Sequence, residues 1–462
     1  MQHVFHGQLT EAHNKRHLPH KFLVPPACTR LSLRLHFEPA QAGDARNMLT
    51  LTLFDPAGFR GAGHRGGNLH ELYLAPDSAT AGYIAGPLPA GTWIAQIDAH
   101  RVGAEEPCTY SLTVTVETAG GAVAEKTGAV APPDFDRVLS STPGWYRGDL
   151  HAHTRHSDGD WDEADLVAAA RAERLDFVAL TDHNTVSGLA SFAGLGGDHL
   201  LTMGGLELTT FWGHAVCLGL SEWLDWRVDA SGTAMANIAR SLQSSGAHFA
   251  IAHPRSPGDP YCTGCRWLYP DMMPGPARCV EVWNGPWVPP GGAPSYNEEG
   301  LALWYQWLNA GFHLVATAGS DAHSLADYRN RPGFNVVYAD DLSQSAILRG
   351  VAAGHLYLSS GPTLQLRASQ TGERTAMMGD HLKVDSHAGD LCLEASCTLC
   401  PPDSLLRLVE NGQVIDEVPV SGAAEHTWEQ PANPGTWYLM ELRDRHHEML
   451  ALTNPIFFTA GD

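Results

Sequence analysis

Residues 148–159 read GDLHAHTRHSDG and carry two histidines at alternate positions, His151 and His153, followed by the carboxylate Asp158. In an extended backbone, side chains two apart leave the same face. The two imidazoles therefore start side by side, and Leu150 is expected on the opposite side. One short segment thus offers a cation two nitrogen ligands. The chain has 25 histidines, so one pair alone would carry little. Its weight comes from what recurs downstream.

Similar residues stand where later strands are expected to end. FVALTDHN (177–184) delivers Asp182 and His183, and LLTMGGLELT (200–209) delivers Glu207, with His214 a few residues on. AHFAIAHP (247–254) delivers His253, and FHLVATAGSDAH (312–323) delivers Asp321 and His323. Imidazole nitrogen and carboxylate oxygen without cysteine suit zinc, manganese or iron. These are more donors than one tetrahedral ion takes, so two or three ions are expected. A carboxylate such as Glu207 would bridge two of them. Water held between the ions would become a hydroxide nucleophile near neutral pH.

The elements that must position these groups follow from periodicity. From residue 145 to 358, strands alternate with helical segments at 162–175, 233–245, 301–309 and 343–353, with Gly311 and Gly354 as stops. Such alternation predicts a mostly parallel sheet, closed or nearly closed into a barrel. All carboxyl ends of its strands would open on one face, so donors scattered in sequence would converge there. Residues 1–125 read as all-β, with apolar and polar side chains alternating at 31–39, 48–56, 92–100 and 110–117. They predict an antiparallel sandwich. A Pro/Gly-rich linker is placed at 126–144. Residues 359–462 turn β again, with a hairpin over Asn411-Gly412, and predict a second small sandwich.

HAHTRHSDG, TDHNTVSG, GLELTTFWGH, AHP and GSDAH, in that order, resemble the motifs of the PHP superfamily, named for polymerase and histidinol phosphatase. The match spans residues 146–357. WGHAVCLGL, VEVWNG and ALTNPIFF, together with the flanking β modules, resemble more loosely the branch grouped with carbamate-insecticide hydrolases. The resemblance implies a distorted barrel of seven strands and helices. It also implies that His151, His153, Glu207 and Asp321 hold one ion. Glu207 would bridge to a second ion held with His253 and His214, and Asp158, His183 and His323 would hold a third. Asp158 stands where many members of the family have histidine.

Other residues are open to two readings. Asp182 is either a ligand or a carboxylate that orients an imidazole. His156 is either a rim residue or a catalytic acid. Arg155 and Arg255 are candidates for gripping a phosphate oxygen, or ordinary surface arginines. CTGC at 262–265 is a weak metal or redox signal against a reading as free thiols. Trp267, Tyr269, Trp283, Trp287 and Tyr296 lie in a long segment between ligand-bearing strands. They suggest a substrate-selecting cap, or a packing surface for a β module.

The balance of 51 acidic against 29 basic residues gives a formal charge of -22, which opposes attraction to long nucleic acid or an anionic membrane. A small anionic or aryl ester remains compatible, because cations dominate the field in their own pocket. The first residues lack the pattern of a signal peptide, the nine cysteines are scattered, and a cytoplasmic location is expected. The expected activity is metal-dependent hydrolysis of a phosphoester: a small phosphomonoester, a nucleotide or a 5′–3′ exonuclease-type substrate. Glu207 and Asp321 would sit at the reacting centre. The alternatives are hydrolysis of a carbamate or carboxylic ester at the same centre, and a non-catalytic scaffold.

Overall fold

The computed structural model describes residues 1–119, 133–231, 233–289, 296–370, 374–385 and 389–461. The linker expected at 126–144 lies outside the described residues as far as 132. The protein is mixed α/β, with a large sheet that contains parallel pairs and with few helices. No helix among the described residues is long and apolar enough to cross a membrane.

The N-terminal part comprises β1 (Gln2–Leu9), β2 (Arg16–Val24), β3 (Cys28–Glu38), β4 (Met48–Asp55), β5 (Gly58–Gly63), β6 (Leu69–Leu74), β7 (Gly91–Arg101) and β8 (Cys108–Thr118). They form two four-stranded antiparallel sheets, ordered β1-β8-β3-β6 and β2-β7-β4-β5. The two sheets share one core, because alternate residues of each strand point inward. Leu31, Leu33, Leu35 and Phe37 of β3 meet Trp93, Ala95, Ile97 and Ala99 of β7 there. On β7 the intervening Gln96, Asp98 and His100 are also buried. Their face is turned to the central part of the chain.

The central part begins with β9 (Gly144–Asp149), α1 (Glu163–Ala172), β10 (Phe177–Leu180), α2 (Leu189–Phe192), β11 (Leu201–Thr209) and β12 (His214–Leu218). It continues with α3 (Thr233–Ser244), β13 (His248–Ile251), β14 (Cys279–Asn284), α4 (Tyr296–Asn309), β15 (Val315–Gly319), α5 (Leu325–Arg329), β16 (Phe334–Ala339), α6 (Gln344–Ala353) and β17 (Leu356–Ser359). Caps fix the helix starts. The Asp162 carboxylate accepts from the backbone N–H groups of Ala164 and Asp165, and Ser343 accepts from Ala346. Gly354 closes α6 at φ 74°, as its position in the sequence predicts.

The pairing is less parallel than the alternation suggests. β9, β10 and β11 are parallel neighbours, as are β13, β14 and β15, but β12 runs antiparallel to both β11 and β13. β16 is antiparallel to β9. The physical reason is the tight turn 210–213, which is too short for a crossover helix and folds β12 straight back on β11. The ends of β15 and β9 meet through a bridge between Ala152 and Ala322. Asn335 on β16 reaches β15, bonding both the N–H and the carbonyl of Ala318.

The C-terminal strands are β18 (Thr363–Gln370), β19 (Arg374–Met377), β20 (His381–Val384), β21 (Leu391–Glu410), β22 (Gln413–Gln430), β23 (Trp437–Arg443), β24 (Met449–Thr453) and β25 (Ile456–Ala460). The β21–β22 hairpin turns over Asn411 and Gly412, both with positive φ, as the sequence predicts. These strands are hydrogen-bonded to the centre. β24 pairs with β17, and the Asn454 side chain bonds Ala316 and Leu356.

Candidate metal centre

Most donors are placed near the carboxyl end of a strand, while His214 opens β12 and Asp158 stands in the turn beyond β9. His151 and His153 follow β9, and their Nε2 atoms lie 3.1 Å apart, as the alternate spacing predicts. Glu207 stands two residues before the β11 turn. In the β11–β12 register Thr209 faces His214 and Glu207 faces Val216, so Glu207 and His214 share one side of the hairpin. His253 and Asp321 hold left-handed backbone, φ 25° and 49°, at the ends of β13 and β15. Non-glycine residues in that region cost free energy and cluster at functional sites.

Four donor atoms form a compact polyhedron: His151 Nε2, His153 Nε2, Glu207 Oε2 and Asp321 Oδ1. Beyond the histidine pair, His151 Nε2 is 3.3 Å from Glu207 and 3.4 Å from Asp321, and His153 Nε2 is 3.4 Å and 2.9 Å from the same two atoms. A tetrahedral ion with bonds of about 2.0–2.2 Å sets its ligands roughly 3.3–3.5 Å apart. The distances thus resemble edges of a coordination shell. Glu207 Oε2 has these neighbours and His183 Nδ1 at 2.8 Å, yet it accepts no hydrogen bond from any of them. A buried carboxylate oxygen crowded by nitrogens without hydrogen bonds is a place for a cation.

Two further groups adjoin. Glu207 Oε1 is 3.0 Å from His214 Nδ1 and 3.2 Å from His253 Nε2. Asp158 Oδ1 is 3.2 Å from His323 Nε2 and 3.5 Å from His183 Nε2. Mutual donor distances also group His153 with Asp158, His183 and His323, and His183 with Glu207 and His214. His253 touches Glu207 but belongs to none of the close groups.

The outer ring nitrogens show which way the lone pairs face. His151 Nδ1 donates to Glu281 Oε1 at 2.9 Å, His253 Nδ1 to the Cys265 carbonyl at 3.2 Å, and His323 Nδ1 to the Asp321 carbonyl at 2.7 Å. Each acceptor lacks a proton, so in the neutral ring Nε2 turns a lone pair inward. For His253 and His323 that lone pair faces a carboxylate, which needs a proton or a cation between. Electrostatics agree. Burial opposes charge on His253 and His323, but Glu207 raises the first to about 9 and Asp158 raises the second to about 10. Burial also opposes charge on Glu207 and Asp321, yet the facing imidazoles hold both well below the carboxylate range. The donor set fits divalent ions.

Some expected residues do not join. Asp182 accepts from the Thr154 backbone and hydroxyl and from Ser157, so it braces the loop carrying Asp158, and among the described residues it orients no imidazole. His156 has both ring nitrogens engaged, with Ser187 at 2.7 Å and Glu163 at 3.1 Å. Arg155 is exposed and Arg255 half-buried, and no ion pair ties either to the cluster among the described residues. Cys262 and Cys265 are joined by a disulfide, contrary to the free-thiol reading. The aromatic cap is corrected too. Trp267, Tyr269, Trp283 and Trp287 are buried in the central core, with each indole N–H bonded, because the segment that carries them folds inward. Tyr296 is half-buried at the start of α4.

Three residues were missed. Glu281 on β14 accepts from His151, Asn284 and the His253 backbone. Asp149 accepts from Ser320, Tyr328 and the His151 backbone. His64, just past β5, stands 4.5 Å from His183 between ring centres.

No family model matches the chain, and no curated protein does. Among solved structures it is similar to a two-domain protein from Bacteroides vulgatus that contains a predicted PHP-like metal-dependent phosphoesterase. The identity is 17% over 71% of this chain and 100% of that one, at a TM-score of 0.39. A protein from Bifidobacterium adolescentis assigned as a metal-dependent phosphoesterase matches at 17% identity over 45% and 96%, with a TM-score of 0.29. An amidohydrolase from Chromobacterium violaceum, solved with bound sulfate and no metal, matches at 17% over 38% and 87%, with a TM-score of 0.26. At such TM-scores the likeness carries no argument, and the geometry must.

Proposed function

We propose that the chain is a PHP-type metal-dependent hydrolase of small phosphoesters, its centre at the mouth of a distorted (β/α)7 barrel between two β-sandwich modules. The observation that carries the reading is the four-atom polyhedron of His151, His153, Glu207 and Asp321, built around the buried Glu207 Oε2, which accepts no hydrogen bond. Glu207 directs Oε2 to this set and Oε1 to His214 and His253, so it would be the carboxylate shared between two ions. Asp158, His183 and His323 form the third set.

Divalent ions held there would supply charge neutralisation for ester oxygens and acidify water toward neutral pH. The chain's own part is to hold the donors. Glu281 and the Cys265 carbonyl fix ring orientation, and burial keeps competing water from Glu207. Access is on one side. Asp158, Asp321 and His323 are 28%, 23% and 35% exposed at the side chain, while Glu207 and His153 are fully covered. A concentrated positive centre favours an anionic ester over a neutral one.

The test is an assay of the purified protein with an aryl phosphate and an aryl carbamate. Turnover of the phosphate supports the reading, and turnover of the carbamate alone overturns it in favour of carbamate hydrolysis. His153→Ala is expected to lose metal, and activity by at least about a hundredfold, while the β modules stay folded. Full metal content and unchanged turnover in this variant would count against the centre.

A further inference from the structure

The N-terminal module does more than flank the centre. The residues on either side of His64 are clamped onto the two loops that carry Asp158 and His183. On one side, Ala62 N–H donates to the Gly82 carbonyl, which also accepts from Thr185 Oγ1 at 2.9 Å. Gly82 N–H in turn lies 3.0 Å from Ser187 Oγ and 3.2 Å from His156 Nδ1. On the other side, Arg65 Nη2 donates to the Arg155 carbonyl at 3.0 Å. A side chain at Gly82 would strike the His156 carbonyl at 2.7 Å, so the approach is as close as a backbone allows.

These clamps hold the His64 ring against His183 and, edge-on at 5.0 Å, against His100. His100 is itself fixed. Its Nε2 is 3.0 Å from Thr50 Oγ1, its carbonyl accepts from Thr263, and its ring meets Phe211 edge-on. Its Nδ1 is buried and has no partner among the described residues. Among the described residues neither nitrogen of His64 has a hydrogen-bond partner, and the residue is half-buried. Nor does either nitrogen fall in any group of mutually close donor atoms, so the contact with His183 is ring to ring. A rigidly placed imidazole on a half-buried residue, with unused hydrogen-bonding capacity, stands beside the open side of the centre.

We propose that His64 is a substrate-contacting residue supplied across the module boundary. Its free ring nitrogen hydrogen-bonds an oxygen of the ester, and of the phosphate product, that enters past Asp158 and His323. The active site is then a composite of two modules. This rests on the hydrolase reading above.

The test uses the full chain and three variants, His64→Ala, His64→Gln and His64→Phe. The measurements are metal content, melting temperature, kcat and KM, and calorimetric binding of inorganic phosphate. The expected result is native metal content in all three and kcat/KM lowered about tenfold, largely through KM, in His64→Ala and His64→Phe. His64→Gln, which keeps a donor and an acceptor, should recover part of the loss. His64→Phe keeps the ring packing, so it decides the matter where His64→Ala does not fold. Native kcat/KM in a folded His64→Phe overturns the inference. Loss of an ion in step with activity makes His64 a ligand and also overturns it. If the native protein turns over only a carbamate, the phosphoester reading fails and the same comparison on the carbamate judges His64. If no ester is turned over, phosphate affinity decides: a loss in His64→Phe supports the inference, and unchanged affinity, or no binding to the native protein, overturns it.

Discussion

At the scale of single residues, the centre is a set of lone pairs aimed by the groups behind them. At pH 7 His253, at about 9, and His323, at about 10, carry a proton in the metal-free protein. As ligands both must be neutral. Ion binding at pH 7 should therefore release at least these two protons, and affinity should fall as pH drops below about 10. Calorimetry in two buffers of different ionisation enthalpy measures this, and a buffer-independent enthalpy would contradict it. Glu281→Gln removes the charge behind His151 and should weaken metal binding roughly 10–100-fold in a chelator competition. Unaltered affinity would mean that Glu281 merely fills space. Most of the candidate donors stood out because they lie near the carboxyl end of a strand, whereas Asp158 lies in the turn beyond β9 and His214 opens β12. Glu281 did not stand out. In CVEVWNG it alternates with valines and reads as the solvent face of a strand, but this sheet is covered on both faces and has no solvent side there.

At the scale of elements, the alternation of strand and helix was legible in the sequence, whereas strand direction was not. Strands buried on both faces, such as β12 with every residue buried, show no polar alternation to mark their neighbours. The turn before β12 had to be seen to show that His214 folds back beside Glu207. Trp267 and Tyr269 in the 254–278 segment misled for a related reason: long loops usually lie outside, but these two side chains pack inward. The tip of the segment supports the centre through Gly264, at φ +86°, where an added Cβ would lie 2.0 Å from the Thr210 carbonyl and 3.1 Å from His214 Nε2. Gly264→Ala should thus cost at least about 2 kcal/mol, from left-handed strain and from the clash, and should displace His214 or the His253-bonded Cys265 carbonyl. A lowered melting temperature with reduced metal content is expected. Native values of both would show that the loop yields without cost.

At the scale of the whole molecule, the N-terminal sheets are joined to the centre through buried imidazoles that must stay neutral. Composition counts histidines but does not show which are buried, because that depends on which sheet face meets the centre. Burial takes His100 down to about 3, with His17, His214 and His183 adding repulsion. It takes His70, in the N-terminal module and away from the donors, to about 4, helped by Arg65. An unfolded histidine titrates near 6.5. Between the folded and unfolded values the unfolded chain binds the extra proton, so this stability is complete above about 6.5 and is lost as pH falls toward 4. For His70 the full shift is worth of order 3 kcal/mol. Acid also strips ligands from the centre, so the level of stability cannot separate the two effects, but a slope can. His70→Gln removes one titrating group without touching a donor. Its melting temperature should therefore depend less steeply on pH between 6.5 and 4 than that of the native protein, whatever its starting value. Parallel pH profiles would place the acid sensitivity in the centre alone. A flattened profile in His70→Gln at native metal content would place part of it in the N-terminal module, and with it the integrity of the wall that carries His64.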